Sequence, residues 1–188
     1  MDVQPVLDRF PSAEWDESTG AVIVKPADVT DVAKFLRDEP GFGLDFLSNV
    51  TGVDYLPSEK KEKRENEEGK KEIVKIPVPG RMEVVYHFYS ISKKKGPFVL
   101  KQLLEDRENP VATSLTPIFV SAELQEREVF DLFGVDFVGH PDLRRILMWE
   151  EFEDFPMRRD YVEPDDFEYE PTPHGEVLEK ARNHLEAS

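Results

Sequence analysis

The sequence predicts an α+β domain followed by an extended acidic tail, and three observations carry that prediction. "RMEVVYHFYSISK" (81–93) alternates with large side chains in both directions, as a central strand does. "DVTDVAKFLRDEPG" and "SAELQEREVFDLF" place apolar residues at helical spacing and stop at Pro40-Gly41 and at Gly134. From Glu150 to Glu170 ten acids face two arginines, a net −8 out of −16 for the whole chain. Such a stretch cannot build a core of its own.

Taken in order, "AVIVK" (21–25) reads as a strand stopped by Pro26. The helix that follows can be capped by Asp28 or Thr30, with Val29, Val32, Phe35 and Leu36 on one face. "LDFLSNVTGVDYL" (44–56) reads as a short helical turn leading into a strand. Residues 59–72, "EKKEKRENEEGKKE", balance six acids with six bases and offer nothing apolar to pack, so they read as a charged, solvated hairpin loop. In the 81–93 strand Val85, His87, Tyr89 and Ile91 face one way and Val84, Tyr86 and Phe88 the other, and His87 reads as a satisfied core or interface histidine. "PFVLKQLL" (97–104) is a strand candidate, with helix as the alternative. "SLTPIF" (114–119) reads as a short extended piece broken by Pro117. "HGEVLEKARNHLEA" (174–187) reads as a terminal helix. The expected organisation is a domain over 1–147 and a partner-wrapping tail over 148–188.

Composition limits the function. The chain has no cysteine, which removes thiolate zinc sites, Cys-ligated clusters and a Cys nucleophile. No two of its four histidines stand at metal-ligand spacing on a helix. A charge of −16 argues against nucleic acid and against anionic lipid. The start carries no apolar signal core, and no run of about 18 apolar residues exists to span a bilayer.

The densest chemistry lies in "EREVFDLFGVDFVGHPDLRRILM" (126–148). On a helix turning about 100° per residue, Leu132, Val129, Phe133 and Phe130 share one arc that includes Glu126. Arg127, Glu128 and Asp131 fall on the opposite side. Glu126 is therefore expected to be buried, and a buried carboxylate needs a cation or several hydrogen bonds. Arg144 or Arg145 is the expected partner, with Arg127 as the local alternative. Glu126, His140 and Arg144 also make an acid/base set on paper, but no nucleophile elbow, phosphate loop or dinucleotide glycine pattern accompanies them. Carboxylates and arginines in excess over histidine favour a structural ion-pair network.

The run Glu126-Arg127-Glu128, Asp131-Leu132-Phe133, His140, Arg144 and Ile146-Leu147 resembles the signature of a bacterial NADH:quinone oxidoreductase family, that of the 30 kDa subunit of respiratory complex I; Asp142 and Arg145 join these charged residues in the expected structural or interface motif. "RMEVVYHFYS" upstream and "PMRRDY" (156–161) downstream resemble the same family's flanking segments. Leu124 stands where that pattern has tryptophan, "FEDFPMRRDY" replaces a form closer to Trp-Glu-Gly-His-Pro-Leu-Arg-Lys-Asp-Tyr, and 59–72 is an insertion.

The resemblance implies a mixed β-sheet flanked by helices. It implies no cofactor on this chain, with flavin, iron–sulfur clusters and quinone held by partner subunits. It implies other hydrophilic-arm subunits as partners, chiefly the large 49 kDa-type subunit that shapes the quinone cavity. The place implied is the cytoplasmic side of a bacterial inner membrane, peripherally bound. Within the tail, Phe155, Arg158, Arg159 and Tyr161 are the expected contact residues. Two rival readings stand beside it: the equivalent subunit of a membrane-bound hydrogenase or of a ferredoxin- or F420-linked quinone reductase, and a free-standing acid/base enzyme using Glu126, His140 and Arg144.

Overall fold

The computed structural model describes residues 1–65 and 71–162. The expected terminal helix at 174–187 and the tail beyond Val162 lie outside the described residues, as do 66–70 of the charged block. Helix α1 (Gln4–Arg9) and strand β1 (Glu14–Asp16) precede β2 (Ala21–Val24) and α2 (Val29–Asp38). Then come β3 (Phe46–Tyr55), β4 (Ser58–Glu65), β5 (Lys71–Val78), β6 (Arg81–Ser90) and β7 (Lys95–Leu104). Strand β8 (Val111–Thr113), helix α3 (Ala122–Phe133) and β9 (Asp136–Val138) complete the order.

Five strands form one mixed sheet in the order β1-β2-β7-β6-β3, with β2 and β7 parallel and the other neighbours antiparallel. The β4–β5 pair stands apart as an antiparallel ribbon, and β8 pairs with β9 in parallel. The alternation in β6 is as the sequence implies. Val84, Tyr86 and Phe88 are fully buried in a core shared with Val6 of α1, Val32 of α2 and Val129 of α3. The three helices among the described residues therefore all serve one face of the sheet. Aromatic edges at 5.7 to 5.8 Å link Phe10, Phe35, Phe42 and Phe98 along that layer.

Some local expectations are corrected. No helical turn opens the 44–56 segment. Phe46 and Leu47 already pair with Tyr89 and Phe88, and pairing holds the chain extended through a bulge between Leu47 and Asn49. Residues 114–119 are a turn, because the amides of Ile118 and Phe119 both return to the Leu115 carbonyl, which buries Leu115 and Phe119. The extended piece lies just upstream, in β8. Residues 97–104 are strand.

Asp28 and Ser121 do occupy the N-cap positions, but neither caps with its side chain. Asp28 accepts a bond from the Ser12 hydroxyl, and the Ser121 hydroxyl donates to the Leu47 carbonyl. Residues 59–65 and 71–72 of the charged block pair in a β-ribbon rather than a loop, and the pairing runs on to Ser58 and Val78. His87 is not satisfied within the described residues, among which its buried Nδ1 has no hydrogen-bond partner. It sits opposite Asn49 and Val99, on the sheet face that receives no helix among the described residues.

Candidate functional site

Helix α3 is the centre of the site, and both of its flanks are buried. Glu126 faces the 114–116 turn, with no exposed surface. Its Oε2 accepts from the hydroxyls of Ser114 (2.5 Å) and Thr116 (3.2 Å), and its Oε1 from the Leu115 amide (2.7 Å). The burial expected from the helical arc is present, but the partners are hydroxyls and an amide, not Arg144 or Arg145. Burial pushes the Glu126 carboxyl up, and the three hydrogen bonds offset only part of that.

The opposite flank, which carries Arg127 and Asp131, is covered by the loop returning after β9. Both residues are buried, while Glu128 between them stays exposed. Asp131 gathers that loop. Its Oδ1 lies 2.7 Å from the Arg145 guanidinium. Its Oδ2 accepts the successive amides of Ile146 (3.0 Å), Leu147 (2.6 Å) and Met148 (2.9 Å). Burial opposes ionisation there, but three amides and a cation outweigh it, and the carboxyl stays below its usual range. Arg127 reaches the same loop through the carbonyls of Arg144 and Arg145, both at 3.1 Å.

His140 is fixed at both nitrogens. Nδ1 accepts from the Asp142 amide at 3.1 Å, so the proton is on Nε2, which donates to the Glu123 carbonyl at 2.9 Å. Arg144 is exposed and pairs with Asp142 at 2.9 Å. A surface pair of this kind adds little to stability, because water and salt screen it. Glu126, His140 and Arg144 thus bond to three different sets of atoms, and no hydrogen bond among the described residues joins them to one another. Open depressions of about 650 Å³ occur near Gly96, and none of the three residues lines them.

Residues 149–162 form a strap over the end of α3. A helix leaves its last four carbonyls without internal partners. Here the Phe130 carbonyl takes the Gly134 amide, and the Asp131 carbonyl takes Arg145 at 3.0 Å. Those of Leu132 and Phe133 take the Met157 amide and Arg158 Nε, at 3.0 and 2.8 Å. Two cations at that end also suit the helix dipole. Gly134 has φ +73°, and a Cβ there would lie 2.5 Å from the Phe155 ring, so only glycine admits both the turn and the ring. Arg145 and Arg158 flank Phe155 with their guanidinium carbons at 5.4 and 4.9 Å from its centroid. Phe152 is buried between Trp149 and Tyr161.

The strap's far end is held by residues that the sequence motifs do not single out. Arg107 grips buried Asp54 with two bonds of 2.7 Å and Asp160 with one of 2.9 Å. Asp54 also accepts the Arg159 amide at 2.8 Å. Burial of Asp54 is outweighed by Arg107 and that amide, so its carboxyl lies below the usual range. Asp54 had a readable signal: it stands in the buried alternation Val50, Gly52, Asp54 of β3. The residues expected at a partner interface of the tail make contacts within this chain instead: Phe155, Arg158 and the Arg159 amide touch its own domain, and Tyr161 leans on Phe152.

Glu126→Gln keeps the shape and removes the charge. Because the folded carboxyl titrates above the usual glutamate value, the native state binds the extra proton, and Glu126 loses stabilising power as pH rises through that interval. Urea unfolding from about pH 4 to about pH 8 is expected to shift in favour of the Gln variant as pH increases. A penalty for Gln that grows with pH would contradict this placement of the carboxylate.

The charged cluster ties a helix, a loop and a strap of this one chain together. Residues 22–167 match the family described as the respiratory-chain NADH dehydrogenase 30 Kd subunit. The chain is 37% identical over 168 residues to the C subunit of NADH-quinone oxidoreductase from Roseiflexus sp. strain RS-1, covering 85% of this chain and 84% of that one. It is 35% identical over 161 residues to the C subunit of the Moorella thermoacetica enzyme, covering 85% and 92%. A trypsin-resistant fragment (1–134) of Nqo5 superposes with a TM-score of 0.51 at 26% identity, over 76% of this chain and all of the fragment. A chain of the archaeal membrane-bound sulfane sulfur reductase shares the fold, with a TM-score of 0.61 at 20% identity over 89% and 88%. This chain belongs to the 30 kDa subunit family of respiratory NADH dehydrogenase.

Proposed function

We propose that this chain is a hydrophilic-arm subunit of a proton-pumping NADH:quinone oxidoreductase, and that it organises the electron path without lying on it. The observation that carries the organising role is the use of the signature residues. Glu126, Arg127, Asp131, His140 and Arg145 are each committed to backbone or side-chain groups of this chain. In this reading no catalytic residue sits here, and flavin, iron–sulfur clusters and quinone belong to partner subunits. The chief partner is the 49 kDa-type subunit, and the place is the cytoplasmic face of a bacterial inner membrane. No helix among the described residues is long and apolar enough to cross a membrane, so attachment in this reading runs through other subunits.

The test is an N-terminal affinity tag in the native host, gentle detergent extraction, and a native gel stained for NADH oxidation, with mass spectrometry of the band. A large staining band that contains flavin and iron–sulfur subunits is expected. A band of hydrogenase or ferredoxin-dependent subunits would keep the module and change the reaction. A lone protein of this size would return the free-standing enzyme to consideration.

A further inference from the structure

We infer that residues 146–149 form a preset apolar docking knob for a partner subunit whose receiving surface is an apolar socket rimmed by lysine or arginine. This inference rests on the reading of the chain as a subunit and names the chemistry of one of its contacts. Leu147 is 61% exposed, Ile146 39% and Trp149 50%, within four consecutive positions. Single exposed apolar residues are ordinary, but three together on one loop make a patch that calls for a cover.

The loop cannot turn these side chains inward, because the Ile146, Leu147 and Met148 amides are all held by buried Asp131 and the preceding carbonyls by Arg127. The conformation that presents them is therefore fixed before any partner arrives, which lowers the ordering cost of binding. Trp149 is steadied from behind by Phe152, with ring centroids 4.9 Å apart.

Charge selects the occupant. Glu150, Glu151, Glu153 and Asp154 follow the knob and are exposed, while on its other side Asp142 and Arg144 neutralise each other. A second copy of this chain would bring the same acidic rim and a further −16. Anionic lipid and nucleic acid are disfavoured on the same ground. Another protein surface with cations around an apolar hollow is complementary in both respects.

The test uses the tagged full-length chain in its host, with Leu147→Asp, Leu147→Gln and the fourfold E150K/E151K/E153K/D154K variant, reading partner subunits recovered per bait. Leu147→Asp and the fourfold variant are each expected to lower recovery about tenfold or more, the loss that one hot-spot contact brings. The thermal melt of the isolated chain is expected to stay unchanged. If Leu147→Asp lowers the melt, the near-isosteric Leu147→Gln supplies the reading, and recovery at the wild-type level overturns the knob. Wild-type recovery with the fourfold variant overturns the basic rim. An isolated wild-type chain that is dimeric, and monomeric as Leu147→Asp, assigns the knob to a second copy and overturns the proposal. Failure of the subunit reading looks different: the wild-type bait then brings no oxidoreductase subunits, and the knob falls with it.

Discussion

Asp131→Ala is expected to destabilise the isolated chain by about 3–5 kcal/mol, the cost of removing one member of a buried ion pair. The substitution strands more than Arg145. Three successive amides lose their acceptor together, and an amide left unpaired in a buried place costs about 1–3 kcal/mol. The loop can recover some of this by opening to water, which is why the contributions do not add. Asp131→Asn keeps an acceptor oxygen and loses the charge, so it falls between. Urea unfolding read by tryptophan fluorescence measures both; a loss of less than about 1 kcal/mol for alanine would mean that the loop does not depend on this carboxylate.

The pH dependence has a definite sign. The folded carboxyl of Asp131 lies below its unfolded value, so its stabilisation is complete above the unfolded value of about 4 and is lost as pH falls through the folded one. Asp54 behaves the same way. Acid unfolding near and below about pH 4 is therefore expected to be shallower in the Asp131→Asn variant than in the wild type.

Arg107→Ala is the second large effect, again about 3–5 kcal/mol, because the Asp54 side chain has no exposed surface and is left holding a charge. Its consequence is also local. Asp160 loses its anchor, so the strap from Phe155 to Val162 is expected to exchange its amide hydrogens faster while the β6 amides keep their protection. Arg107→Lys does not rescue, since an ammonium cannot form the two parallel 2.7 Å bonds to Asp54. The bend that brings Arg107 close also has a steric requirement: a Cβ at Gly80 would lie 2.7 Å from the Arg107 side chain. Unchanged exchange in the strap of Arg107→Ala would show that Asp160 is not what fastens it.

The sequence and the structure agree where the information is local. Alternation in 81–90 and helical spacing in 29–38 and 122–133 arise from neighbours one turn or one pleat apart, and Gly134 closes α3 at its αL position as expected. They part where distant segments meet. The helical arc places Glu126 inside but is silent on which loop meets it, and that loop brings hydroxyls. The same arc sets Asp131 and Arg127 on the far side, without showing that 140–148 returns to cover them. Arg144 and Arg145 are adjacent in a loop with no fixed period, so nothing local tells which side chain turns inward; Arg145 does. The Asp54–Arg107–Asp160 cluster joins positions 53 residues apart on either side of Arg107 and leaves only the weak trace of an acid in a buried strand position.

In the proposed role the signature residues organise the assembly and do not take part in turnover. The direct measurement is NADH:quinone turnover per assembled complex, alongside the amount of complex, for His140→Ala and Asp131→Asn in the native host. Less complex is expected in both variants, with unchanged turnover in each complex that forms. Normal amounts of complex with turnover lost would contradict it and place these residues in the chemistry.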